Sequence, residues 1–307
     1  MSKSFSFLHI LLLAAAALFW SSTFTFTKLL LADAGPYFIL AARSAITCLT
    51  LLAFHRKTII LEISLSWKSR LFWIFPVVLF FALLFQTVGL KYTTASNAGF
   101  ISALSVLFVP VLRRIHYKIA PGPGVYVYIL VALAGLYLIS FGPGLPHSMN
   151  AGDFHYLISA VLYGYYILLL GELVKTISCP TIVFFSFLLA GSLSLPVALV
   201  TEDCAAGLNA LQNPSFIINM LVLSTLGGTL AYLFAAKGQK HVPPHLAALV
   251  YTLEPVFSLF LAWALLSETM RPWLNGTCPS KNWSMAAILT VKMSNQITSM
   301  PIRTRVL

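Results

Sequence analysis

Apolar residues in this chain come in long, charge-poor runs parted by short segments that hold most of the charges. The runs cover residues 7–30, 36–54, 71–90, 95–112, 123–141, 154–173, 181–200, 216–235 and 246–266. A hydrocarbon core of about 30 Å takes roughly 20 helical residues to cross, so each run predicts one membrane-spanning helix. A transmembrane β-barrel would instead show shorter segments of alternating hydrophobicity. The connections are short, which makes successive helices antiparallel neighbours and leaves no room for a soluble domain. The first run extends from Phe7 past Trp20 towards Leu31. That exceeds the 7–15 apolar residues of a secretory signal, so it predicts a retained span.

Composition strengthens this picture. Hydrophobic residues make up 59% of the 307 and charged ones 9%, against about 25% charged in a soluble domain. Too little polar surface exists to cover a water-soluble molecule of this length. The net charge of +11 suggests a nucleic-acid partner until the basic residues are mapped onto the loops. With the N-terminus in the cytoplasm, eleven loop Lys and Arg fall inside, among them Lys3, Arg56, Lys57, Arg113, Arg114 and Lys237. Three, Lys28, Lys91 and Arg271, fall outside. By the positive-inside rule this predicts a multi-pass protein of the cell (inner or plasma) membrane with a cytoplasmic N-terminus. It also accounts for most of the basic excess without nucleic acid. The cysteines at 48, 179, 204 and 278 lack metal-site or disulfide-framework spacing, and no metal or cofactor is expected.

An internal repeat gives the spans an architecture. Gly89–Val109 (GLKYTTASNAGFISALSVLFV) and Gly238–Ser258 (GQKHVPPHLAALVYTLEPVFS) lie 149 residues apart and match at Gly89/Gly238, Lys91/Lys240, Ala98/Ala247, Leu104/Leu253 and Phe108/Phe257. A weaker parallel sets Ala34–Gly35–Pro36 against Ser178–Cys179–Pro180. Lys91 falls outside and Lys240 inside, as a duplicated unit of five spans requires, because an odd number of crossings inverts the second copy. Inverted repeats place a substrate path between the halves near the bilayer midplane.

The stretch FWSSTFTFTK in the first span, GLKYTTASNAGFISALSVLFVPVL around the fourth and AALVYTLEPVFSLFLAWALLSE across the ninth resemble the EamA-type transporters of the drug/metabolite transporter superfamily. The resemblance runs over residues 7–268. It implies an all-α integral membrane fold, a ten-helix bundle of two inverted five-helix repeats around a central cavity. It also implies transport of metabolites, often export of amino acids or related small molecules. The first repeat is expected at 7–141 and the second at 154–268, with four clear helices. Residues 269–307 form an atypical tail. Its longest charge-free apolar portion, Trp283–Val291, is about half a span, and Pro272, Pro279, Lys281 and Lys292 oppose a continuous membrane helix. The tenth helix is therefore expected to be aberrant or missing, through a shifted reading frame or a natural truncation.

Intramembrane polar residues supply the candidate site. Glu254 sits near the middle of the ninth span, where a charge costs roughly 2.5–3.5 kcal/mol on insertion scales. Loss of water favours the neutral carboxyl, so this group could take up and release a coupling proton as its hydration changes. Pro255 follows it and breaks the helical hydrogen-bond pattern there. Arg43 in the second span reads as an attractor for an anionic group or as a snorkelling side chain. Trp20, Thr23 and Thr27 share one face of the first span, as a cavity wall or a packing face. Gln86, Asn97, Tyr163 and Tyr232 are further candidates, each also explicable by one interhelical hydrogen bond. The expected function is secondary transport of a small metabolite through the bilayer, with protons as candidate coupling ion. The alternatives are a transport-inactive or truncated member and an intramembrane enzyme. No P-loop, HExxH or GxSxG motif is present, which counts against ATP drive and against the enzyme.

Overall fold

A computed structural model of the chain describes residues 7–66, 69–118, the isolated positions 127, 130, 131 and 134, and 150–266. Among these the secondary structure is entirely helical. Helix α1 spans Phe7–Leu30, α2 Pro36–Ser66, α3 Arg70–Leu90, α4 Ala95–Ala103, α5 Ser105–Tyr117, α6 Ala151–Leu173 and α7 Cys179–Thr201. The short α8 (Cys204–Ala210) leads to α9 (Pro214–Val222), a π-helical stretch Leu223–Leu230, α10 (Ala231–Gln239), α11 (Pro244–Tyr251) and α12 (Glu254–Leu266). Taken as α1, α2, α3, α4–α5, α6, α7, α9–α10 and α11–α12, eight of these units are long and apolar enough to cross a membrane. Apart from those four isolated positions, the expected fifth span at 123–141 lies outside the described residues, as does the tail at 269–307.

The distribution of polarity is that of a membrane protein. Large apolar side chains face outward, with Phe54 80%, Leu61 74% and Val200 85% exposed, while Ser21, Thr25, Thr47, Thr181, Ser186 and Ser258 are fully buried. Lipid tails are as apolar as leucine, so helices gain little by hiding leucines from them. Close contact between small residues and interhelical hydrogen bonds hold the bundle instead. Ser159 of α6 donates to the Ala82 carbonyl of α3 at 2.9 Å, and Ser258 of α12 donates to Ala95 of α4 at 3.1 Å. The second span runs longer than its apolar segment, and its helix carries Arg56, Lys57 and Glu62 beyond the hydrophobic zone.

The inverted repeat appears as paired elements. Helices α2 and α7 lie side by side and cap each other at both ends. The Glu202 carboxylate, just past α7, accepts the backbone N–H groups of Tyr37 and Phe38 at 2.9 Å each, at the start of α2. At the other end the Glu62 carboxylate of α2 accepts the N–H of Ser178, ahead of α7, at 3.0 Å. The free N–H groups of a helix start carry partial positive charge, so each carboxylate meets a ready-made anion site.

The second symmetric pair is formed by two broken spans. The fourth is interrupted at Leu104 and the ninth at Thr252–Leu253, and Leu104 and Leu253 are matched residues of the repeat. In the ninth span Pro255 contributes no N–H, and the chain resumes as α12 at Glu254. The eighth span is irregular as well, since its π-helical stretch contains Gly227 and Gly228. A side-chain carbon on Gly227 would run into Thr23 of α1, and one on Gly228 into Thr47 of α2. Thr47 also donates to the Ser224 carbonyl at 3.1 Å. These glycines let three helices close around the interior.

Candidate functional site

The two breaks converge on one enclosed cavity. It is walled by Trp20 and Thr23 of α1, Arg43 of α2, Gln86 of α3, Ser102 and Ser105 at the first break, and Tyr163 and Ile167 of α6. Tyr232 of α10, and Tyr251 and Glu254 at the second break, complete it. About 20 Å³ of it is open to a water centre, enough for one or two waters. A metabolite enters only if the helices separate.

An aromatic cluster builds one wall. Trp20 meets Tyr232 and Tyr251 edge-on, with ring centroids 5.2 and 5.0 Å apart, and Tyr166 at 6.3 Å. The hydroxyls of Tyr163 and Tyr232 lie 3.0 Å apart, and Tyr163 donates to Gln86 Oε1 at 3.3 Å. Gln239 Nε2 donates to the Tyr251 hydroxyl at 3.2 Å. This network fixes the tyrosine rims while leaving ring faces and edges towards the centre, as tyrosine does wherever one end is wet and the other apolar.

Two charged side chains line the cavity, Arg43 and Glu254. Arg43 is 2% exposed, its guanidinium carbon 5.9 Å from the centroid of the Phe187 ring. Glu254 lines the same cavity, in the first turn of α12. Among the described residues an ion pair joins Lys175 and Glu172 at 2.7 Å, and none joins Arg43 to Glu254. Arg43 and Glu254 thus share the cavity without touching. Two donors on the wall have no hydrogen-bond partner although buried, Arg43 Nε and Trp20 Nε1. Burying such a donor unpaired costs about 1–3 kcal/mol, a cost that an acceptor inside the cavity would remove.

Of the nine residues singled out in the sequence, the structure brings seven to this wall: Glu254, Arg43, Trp20, Thr23, Gln86, Tyr163 and Tyr232. Thr23 donates its hydroxyl to the Trp20 carbonyl at 2.6 Å, which leaves its oxygen free only as an acceptor. Thr27 is not among the lining residues. It shares the face of Thr23 but lies about 6 Å further along the helix, buried among neighbouring helices. Asn97 is also not among them. It occupies the first turn of α4, its backbone N–H bonded to the Thr94 hydroxyl at 3.1 Å. Sequence reasoning passed over Ser102, Ser105, Tyr251 and Ile167. Three of these were within reach, because the 149-residue register pairs Ser102 with Tyr251 and Ser105 with Glu254. Ile167 carries no such signal. No cluster of His, Cys, Asp or Glu suited to a metal ion occurs among the described residues.

Comparison with known proteins agrees with the architecture. The sequence model of the EamA-like transporter family matches residues 7–141 and again 150–274. A protein of Archaeoglobus fulgidus described as an uncharacterized transporter is 28% identical over 260 residues, covering 85% of this chain and 79% of the relative. A second from the same organism, described in the same words, is 25% identical over 264 residues, 84% of this chain and 89% of that one. A solved crystal structure, described only as that of a protein, superposes with a TM-score of 0.71 over 94% of this chain and 96% of its own, at 18% identity. That likeness concerns the fold alone.

Proposed function

The chain belongs to the EamA-like transporter family, and from that premise we propose that it exports a small zwitterionic metabolite of the amino-acid type, coupled to protons through Glu254. The carrying observation is the pair of unpartnered buried donors, Arg43 Nε and Trp20 Nε1, on a wall that also holds one carboxyl group. A substrate carboxylate satisfies both donors and neutralises the guanidinium. Its ammonium group lies against Glu254 and the aromatic faces, which attract cations. Each end of a zwitterion therefore meets its complement, whereas a simple cation or anion leaves one protein charge uncompensated in a low-dielectric site.

Coupling follows from the same geometry. A carboxyl at a helix break in the membrane interior is charged when the cavity is wet and neutral when it is dry. Substrate ammonium and proton compete for Glu254, so release of one on either side of the membrane is linked to uptake of the other. The seat is the inner or plasma membrane with the N-terminus in the cytoplasm, a placement supported by the eleven-to-three division of basic loop residues. The test is a screen of the proteinogenic amino acids for counterflow in proteoliposomes, wild type beside Arg43→Gln. The expected result is exchange of at least one zwitterion by the wild type and loss of that exchange in the variant. Exchange that survives Arg43→Gln contradicts the assignment. No exchange of any zwitterion supports a transport-inactive member of the family.

A further inference from the structure

A second cavity lies outside the central one, in a groove between α2 and α7 that is open on its bilayer side. Its volume is about 330 Å³ and its walls are almost wholly apolar, formed by small residues such as Ala41, Ala45 and Gly191 beside Leu188 and Leu195. An apolar cavity of about 150 Å³ already accepts a molecule the size of benzene. Leu188 and Leu195 are 43% and 51% exposed, so the groove opens onto lipid. The two carboxylate caps at either end of α2 and α7 hold the helices as a pair while small side chains keep their middle open.

Two residues connect the groove to the central site. Phe187 lines the groove and touches two residues of the central wall, Tyr232 at 5.1 Å between ring centroids and Arg43 at 5.9 Å. One aromatic ring therefore separates the two spaces. Ser44, the neighbour of Arg43 on α2, lines the groove, and its hydroxyl is buried at 1% exposure without a hydrogen-bond partner. Ser44 and Arg43 thus face the two sides of the Phe187 partition, each with a donor to offer.

A hydrocarbon chain gains nothing by leaving lipid for this groove, because both are equally apolar. Selection has to come from the polar end of the occupant. Ser44 lies eight residues into α2, about 12 Å along its axis, which is close to the midplane of a core of about 30 Å. A bilayer phospholipid keeps its head group at the surface and brings only methylenes to that depth. An acceptor reaches Ser44 only in a molecule whose head group is itself crossing the membrane.

We propose that the α2/α7 groove seats the apolar tail of the transported zwitterion, with Phe187 the partition through which its head group passes between Ser44 and Arg43. This rests on the zwitterion reading above and narrows the substrate class to amino acids with long aliphatic side chains. The test is binding of radiolabelled 2-aminodecanoate and alanine to the full chain in nanodiscs. At equal free concentration in water, with empty nanodiscs subtracted, wild type is expected to bind 2-aminodecanoate at least about tenfold more tightly than alanine, equivalent to about 1.4 kcal/mol, because the tail then leaves water rather than lipid. Gly191→Leu fills the groove, since even a single carbon on Gly191 comes within 3.1 Å of Ser44 Cβ. It is expected to remove the difference while leaving alanine binding within about twofold. Ala45→Leu repeats the test from the α2 side should Gly191→Leu misfold. Tail preference that persists in the filled variants overturns the proposal, as does equal binding of both ligands by wild type. Loss of a co-purifying phospholipid in Gly191→Leu with tail preference intact also overturns it, and makes the groove a lipid seat. Alanine binding that depends on Arg43 without tail preference sinks this inference alone. Binding of neither ligand sinks the zwitterion reading with it.

Discussion

The two broken spans are the same device built twice and given different chemistry. Each interrupts a membrane helix at a matched leucine, Leu104 in the first copy and Leu253 in the second, and each turns two residues in matched register towards one cavity. In the first copy those residues are Ser102 and Ser105. In the second they are Tyr251 and Glu254, with Pro255 reinforcing the break. Duplication therefore accounts for the shape of the site, and divergence accounts for its charge. With serines at both breaks, Arg43 would be the one charge left on the wall. Placing a carboxyl on one side only gives the cavity a polarity along which a zwitterion can be oriented.

The comparison breaks first if the acidic copy is made like the neutral one. Glu254→Ser should reduce proton-driven accumulation by about 100-fold or more, the order lost when a positioned proton carrier is removed, with insertion into the membrane unchanged. Flux in proteoliposomes under an imposed pH gradient measures this. The next largest effect concerns the irregular eighth span, whose glycines close on α1 and α2. Gly228→Leu forces a side chain into Thr47 and should cost about 1–3 kcal/mol through overpacking, read as a lowered unfolding temperature in a thermal-shift assay. Tyr163→Phe removes the hydroxyl shared with Gln86 and Tyr232 and should weaken substrate binding about fivefold, the worth of one neutral hydrogen bond of about 1 kcal/mol. The smallest change belongs to the neutral break, where Ser105→Ala should alter affinity by less than about threefold. An effect of Ser105→Ala equal to that of Glu254→Ser would dissolve the distinction between the two copies.

Much of this was legible in the residues because the membrane imposes a simple grammar. All eight apolar runs that fall on described residues correspond to helices long and apolar enough to span, since a chain crossing hydrocarbon must satisfy its backbone within each helix and so announces itself by length. Charged residues inside such runs are costly, which is why Glu254 and Arg43 stood out without any structure. The hydroxyl residues were harder. Thr23 and Thr27 have the same periodicity and both are buried, yet only Thr23 lines the cavity, because depth along the axis is set by where other helices break. Asn97 drew attention as an amide in a span, but it belongs to the helix start, where Thr94 caps it. The groove between α2 and α7 left no trace in the sequence. It arises from small residues on two helices far apart in the chain, and its two serines differ: Ser192 donates to the Leu188 carbonyl at 2.7 Å, whereas Ser44 has no partner.

The account stands most directly on Glu254→Gln, which keeps the shape of the side chain and removes its titration. Radiolabelled substrate would be followed in proteoliposomes in two modes, exchange without a gradient and accumulation against one. The expected result is exchange that continues in the variant with accumulation no longer responding to the pH gradient. Accumulation in Glu254→Gln that still follows the pH gradient as in wild type would remove the carboxyl from the mechanism and leave the asymmetry of the two breaks without a function.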